Sequence, residues 1–174
     1  SRWVETFAEL QALDDATLAR ARLIAFSTDV IVPQAILDAV GYGAYNFHPG
    51  PPNYPGWGPG HFAIYEQAGV FGVTVHVMHR QVDSGPIVGV EMFVIPHGTS
   101  VARLDQLAFA ALVRIFWNLA QPLTRAAPLA ALPVVWNGRK TTRRRHQEIR
   151  EVPITVSKSD LERRIEAFGQ DDNG

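Results

Sequence analysis

Asn46 and His48 stand one residue apart, and Asp83 follows 35 positions after His48 within Val82-Asp83-Ser84-Gly85-Pro86. Two residues separated by one on a strand point to the same face. An amide and an imidazole would then emerge side by side, and a carboxylate arriving from another strand end could complete a polar trio. Such a trio is of catalytic rather than structural type: a neutral N–H donor, an imidazole that titrates near neutral pH and a carboxylate able to tune it. Cysteine is absent from the chain, which removes thiolate nucleophiles, disulfides and thiolate metal sites. His76 and His79, three positions apart on a strand, face opposite sides and lack the spacing of metal ligands.

The elements that must hold the trio read as an alternating series. From Val4 to Ala21, Phe7, Leu10, Leu13 and Leu18 recur at helical intervals, and Leu23-Ile24-Ala25-Phe26 is a short apolar run of strand type. Pro33 opens a helix through Val40, since proline is tolerated in a first turn, and Gly41 to Gly43 break it. Ala44 to His48 is the next strand, running into a Pro- and Gly-rich loop up to Gly60 that can hold neither helix nor ladder. His61 to Ala68 reads as a short helix. Val73 to Met78, with valines at alternate positions, and Ile87 to Ile95 read as neighbouring strands. From an N-cap at Thr99 or Ser100, an apolar stripe over Val101, Leu104, Leu107, Ala108, Ala111, Leu112, Ile115 and Phe116 predicts a helix ending before Pro122.

This order favours an α/β sheet with its site at the carboxyl ends of strands, where His48 and Asp83 both lie. Residues 1–125 read as the core unit, and 126–174 as an appendage: a basic run from Arg139 to His146, then a docking helix over Ser159 to Phe168 capped by Ser159 with Glu162. Asp171 to Gly174 read as a frayed end. The 174 residues are 47% hydrophobic and 19% charged, enough for a buried core, and their net charge of −1 gives no general argument for a nucleic-acid or membrane partner. No apolar run reaches the ~18 residues of a membrane span, and the expected compartment is the cytoplasm.

Four words in fixed order carry a resemblance: Asn46-Phe47-His48-Pro49, Tyr54-Pro55-Gly56, Phe71-Gly72-Val73-Thr74-Val75-His76 and Val82-Asp83-Ser84-Gly85-Pro86-Ile87. Together they resemble the 10-formyltetrahydrofolate-dependent formyltransferases over roughly Leu23 to Leu119. The run from His48 to Gly56 is most similar to the amino-sugar N-formyltransferase branch, which is methionyl-tRNA formyltransferase-like. The resemblance implies a three-layer Rossmann-like fold with a mostly parallel sheet and helices on both faces. It also implies 10-formyltetrahydrofolate as co-substrate without a metal, and a small-molecule amine, an amino sugar nucleotide, as acceptor.

For the residues, the resemblance implies that Asn46 donates to the oxyanion, that His48 donates as an imidazolium, and that Asp83 raises the His48 pKa and helps to collect a proton. The folate falls to main-chain groups of Asp29, Val30, Ile31 and Val32, and of Arg80, Gln81 and Val82. Tyr54, Trp57 and Gly58 are candidate acceptor contacts, Trp57 as a ring for stacking. Loop punctuation is the plainer reading of the glycines around Trp57, and a solvated face that of the Arg139 to Arg145 cluster. The same trio could direct water, giving a hydrolase that releases formate; a folate-binding or assembly module is the non-catalytic alternative. Family members carry an N-terminal half with further strands where only 22 residues precede Leu23 here. An unpaired sheet edge makes a homo-oligomer the expectation.

Overall fold

The computed structural model describes residues 2–28 and 30–169. Two short helices, α1 (Phe7–Gln11) and α2 (Asp15–Leu18), precede strand β1 (Leu23–Phe26), helix α3 (Gln34–Ala39) and strand β2 (Ala44–His48). After a long loop come α4 (Pro59–Tyr65), β3 (Val70–Val77), β4 (Ile87–Val94), α5 (Val101–Leu123), α6 (Arg143–Arg150) and α7 (Lys158–Phe168). The stretch read as one N-terminal helical pattern is divided because the Asp14 side chain accepts the Thr17 N–H at 2.7 Å and starts a second helix.

The strands form one sheet in the order β1-β2-β3-β4, the α/β architecture expected from the alternation of elements. β1 and β2, joined through α3, run parallel with Leu23 opposite Ala44 and Phe26 opposite Phe47. β2 pairs antiparallel with β3, which sets Asn46 opposite His76 and His48 opposite Thr74. β3 and β4 pair antiparallel with a register shift at Val75/His76. Parallel pairing thus lies on the β1 side of the sheet, and antiparallel pairing on the β4 side.

Alternation along β2 sends Tyr45 and Phe47 into the core and leaves Asn46 and His48 on the opposite face. The core face carries Phe71, Val73 and Val75 beside them, and α5 covers it with Leu104, Ala108, Ala111, Leu112 and Ile115. Each fully buried Phe or Leu of this layer contributes roughly 1.5–3 kcal/mol. A Cβ at Gly89 would meet Ile115 at 3.0 Å, so glycine there lets α5 lie close on β4.

α5 continues through Pro122 rather than stopping before it. Its last carbonyls find a partner across the chain: the Arg22 guanidinium donates to the carbonyl oxygens of Pro122 and Leu123, and also to that of Ala127 beyond the helix. α4 begins two residues earlier than the sequence suggests, with Pro59 in its first turn. In the last helix Phe168 packs on His61, Phe62 and Tyr65, and the cap is Ser157, which accepts the Asp160 N–H at 3.2 Å. Ser159 falls inside the first turn. Ile149, Ala167 and Phe168 join the same buried cluster as Leu104 and Phe47. Asp171 to Gly174 lie outside the described residues. Among the described residues, no helix is long and apolar enough to cross a membrane.

Candidate active site

The trio lies on the sheet face opposite Tyr45 and Phe47, beside a cleft that α5 helps to line with Asp105, Gln106 and Phe109. β2 presents Asn46 and His48 there, and the antiparallel register brings Thr74 and His76 of β3 alongside. Thr74 donates its hydroxyl to the Gly50 carbonyl at 2.8 Å and so holds the start of the long loop against the sheet. Asp83 reaches the same point from the turn between β3 and β4. Its φ of 48° is a left-handed conformation that Asp tolerates better than most residues.

The Asp83 carboxylate is nearly enclosed, its side chain 2% exposed. Oδ2 accepts the Gly56 N–H at 2.7 Å and faces His48 Nδ1 at 3.4 Å. Oδ1 lies 3.1 Å from His76 Nε2 and 3.5 Å from the Asn46 amide nitrogen. A carboxylate oxygen can only accept, so His76 Nε2 and the Asn46 amide act as donors toward it. Burial pushes the Asp83 carboxyl up, but the His76 hydrogen bond, the His48 charge and the Gly56 N–H outweigh it and leave it below the ordinary carboxylate range.

His48 behaves differently from the expectation of an imidazolium. Its ring is buried, with Nε2 3.0 Å from the Tyr54 carbonyl oxygen. Burial lowers its pKa, and the opposing pull of Asp83 and of the Tyr54 carbonyl does not make up the difference. His76 adds to the lowering. The resting site at neutral pH is therefore a neutral imidazole beside an ionised carboxylate. Trp136 closes the back of the site: its indole N–H donates to the Gly85 carbonyl at 2.9 Å, and its ring stands edge-on to His48 and His76.

Two clefts meet at this trio. The smaller is lined by Val30, Ile31, Val32, Arg80 and Val82 together with Ala25, His76, Asn46 and Asp83. These include most of the residues expected at the folate; Asp29 lies outside the described residues. Gln81 is exposed, does not line this cleft, and has its carbonyl engaged by the Ser84 hydroxyl at 2.7 Å. The larger cleft, about 1190 Å³, also contains Asn46, His48 and Asp83, and is lined besides by Trp57, Gly58, Lys140 and Arg143.

Tyr54, expected at the acceptor, turns its ring inward: it is 7% exposed, and its hydroxyl donates to Glu66 at 2.8 Å. Burial and Glu66 push the phenol well above its usual range. Its carbonyl, not its ring, reaches the trio. Sequence reading missed His76, Trp136, Lys140 and Thr141. For His76 half of the signal was present: it shares the alternation of Thr74, but only the β2–β3 register puts it opposite Asn46. The other three lie in a stretch without helical or strand periodicity.

The formyl transferase family profile matches residues 11–113, more than half of the chain, and this chain belongs to that family. The fold is shared with solved members of it. A sugar N-formyltransferase from Shewanella sp. FDAARGOS_354 superposes with a TM-score of 0.78 at 17% identity, over 94% of this chain and 67% of its own. A 4-N formyltransferase from Francisella tularensis gives 0.72 at 18% identity, over 84% of this chain and 60% of its own. A formyltransferase from Anoxybacillus kamchatkensis, solved with a UDP-linked formamido sugar and tetrahydrofolate, gives 0.69 at 14% identity, over 98% and 85%. The chain thus spans two thirds or less of the first two relatives' length. No curated protein matches the sequence.

Proposed function

We propose that this chain transfers a formyl group from 10-formyltetrahydrofolate to the amine of an amino sugar nucleotide. One observation carries the reading: Asn46 and Asp83 line both clefts, so a donor in one and an acceptor in the other would meet at the trio. The smaller cleft suits a flat pterin ring held by main-chain groups. The larger has room for a nucleotide, a ring to stack on in Trp57, and the cationic side chains of Lys140 and Arg143 for phosphates. The Anoxybacillus relative, which binds a UDP-linked formamido sugar and tetrahydrofolate, supports the pairing of ligands.

In this mechanism the acceptor amine attacks the formyl carbon. Charge gathers on the formyl oxygen, and the Asn46 N–H stabilises it as a neutral donor needing no change of protonation. The amine must lose a proton as its bond to carbon forms. His48, kept neutral by burial, takes it, and Asp83 stabilises the resulting imidazolium. The bond from the formyl carbon to the folate N10 then breaks, and the proton returns to that nitrogen. No covalent enzyme intermediate is needed. Asn46→Ala, His48→Ala and Asp83→Ala are each expected to lower formyl transfer by ~10²-fold or more, with the far-ultraviolet dichroism of a folded protein. Transfer at the wild-type rate in any of the three would overturn the assignment. Formate released at a rate indifferent to added amine would instead make the enzyme a hydrolase.

A further inference from the structure

Residues beyond the family-matched 11–113 hold the two segments that set Asp83 in place: Gly56, its backbone donor, and the turn at Val82. Gly56 and Thr141 form an isolated parallel bridge. The Thr141 N–H donates to the Pro55 carbonyl at 2.8 Å, and the Trp57 N–H donates to the Thr141 carbonyl at 3.1 Å. The Thr141 hydroxyl, buried between them, lies 3.0 Å from the Pro55 carbonyl oxygen and 2.7 Å from that of Trp57. The chain is therefore fixed on both sides of Gly56, and the Gly56 N–H is aimed at Asp83 Oδ2. Gly56 has φ of 98°, and a Cβ there would run into the Thr141 carbonyl, so the loop and the strap fit only through a glycine.

The adjacent residue anchors the other partner. Lys140 Nζ donates to the Val82 carbonyl at 2.8 Å, at the peptide that leads into Asp83. One short strap thus holds both the donor and the turn that carries the acceptor. The strap is itself held from behind: Thr142 caps α6, and His146 of α6 packs edge-on against Trp57 at 4.7 Å.

We propose that Thr141, assisted by Lys140, is a positioning residue for Asp83: by fixing Gly56 and the Val82–Asp83 turn, it sets the orientation and the charge of the carboxylate at the reacting centre. The other groups facing Asp83 are His48 and Asn46 from β2 and His76 from β3. None of these touches the strap. Loosening the strap leaves them in place and weakens only the Gly56 contact, which favours the ionised form. The Asp83 pKa should then rise.

The kinetic arm of the test rests on the formyl-transfer reading; a second arm does not. Thr141→Val keeps the branched shape and removes the hydroxyl, and Thr141→Ser restores it. In Thr141→Val the Asp83 step of the acid limb of the kcat/KM profile, which lies below the step at which His48 gains its proton, should move up by about half a unit to one unit, the range of a weakened hydrogen bond to a carboxylate, with KM for 10-formyltetrahydrofolate unchanged. Thr141→Ser should return the limb to its wild-type position. Independently of any turnover, the Asp83 carboxyl carbon can be followed by NMR across pH, its resonance identified by its absence in Asp83→Asn, and its midpoint should move in the same way. Should Thr141→Val fail to fold, Lys140→Met, altered at an exposed side chain, decides the matter by the NMR midpoint of Asp83 in the protein without substrates, where no acceptor phosphate is present. A variant that loses activity and thermal stability while limb and midpoint stay at their wild-type positions would reduce the strap to a structural role and overturn the proposal. An undetectable transfer activity in wild type with a shifted Asp83 midpoint would overturn the enzymatic reading and leave the positioning intact.

Discussion

Asp83→Asn alters one polar atom and nothing of the side chain's shape, yet the geometry around it predicts a double loss. The carboxylate offers acceptors on both sides, to the Gly56 N–H at 2.7 Å and to His76 Nε2 at 3.1 Å. A carboxamide has one acceptor and one donor. Its carbonyl can keep the Gly56 N–H, but its NH₂ then faces His76 Nε2, which must move its proton to Nδ1 beside the Val77 carbonyl at 2.9 Å, and both hydrogen bonds lose their charge assistance. That costs roughly 1–3 kcal/mol. In a domain of this length each kcal/mol is worth about 2–4 °C, so a mid-range loss lowers the melting temperature by about 4–8 °C. The same change removes the negative charge that would stabilise protonated His48, and formyl transfer should fall by ~10²–10³-fold. The assays are a thermal melt followed by dye fluorescence and a rate measurement of tetrahydrofolate formation at saturating amine. A variant that melts early but transfers at the wild-type rate would confine Asp83 to the fold. One that melts within about 1 °C of wild type would refute the loss of charge-assisted hydrogen bonds on which the stability figure rests.

Three further outcomes follow from the same contacts. Gly56→Ala, which needs a left-handed φ and a Cβ where the Thr141 carbonyl lies, should cost about 2 kcal/mol or more and lower activity beyond the loss of fold, measured by denaturant unfolding and by rate per folded molecule. Folding depresses the pKa of both His48 and Asp83, so each contributes stability that is present above its unfolded pKa and is lost as pH falls through its folded value. The melting temperature should therefore begin to drop below about pH 6.5, where an unfolded histidine gains its proton, and His48→Gln should flatten the first part of that drop; an unchanged profile in the variant would remove His48 as the source. Phe168→Ala opens the aromatic cluster that fixes α7 on α4 and should cost about 3–5 kcal/mol by calorimetry.

Much of the scaffold was legible because local signals and tertiary demands agree. Leu23 to Phe26 and Ala44 to His48 are bounded by polar residues, glycine or proline on sequence and in the sheet alike. Boundaries slipped where a distant partner intervened. The C-terminal turn of α5 passes Pro122 because Arg22, a hundred residues away, takes up its carbonyls. Ser159 and Ser157 both fit a cap by type, and only the turn geometry chooses Ser157.

At the site, alternation found Asn46 and His48 on one face. The placement of His76 opposite Asn46 needed the β2–β3 register, which no local pattern encodes. The charge of His48 was misjudged for a related reason: the neighbouring carboxylate is visible in the sequence, whereas the degree of burial that overrides it is a property of the packed loop and of Trp136. Thr141 was invisible, since its role is to bridge to Gly56 across 85 positions of chain.

The most direct test of formyl transfer at this trio is mass spectrometry of an amino sugar nucleotide incubated with the purified protein and 10-formyltetrahydrofolate. The account predicts a product heavier by one CO, formed with an equal amount of tetrahydrofolate, and its loss in Asn46→Ala, His48→Ala and Asp83→Ala. Product formed at the same rate by those variants, or tetrahydrofolate and formate with no formylated sugar, would contradict it.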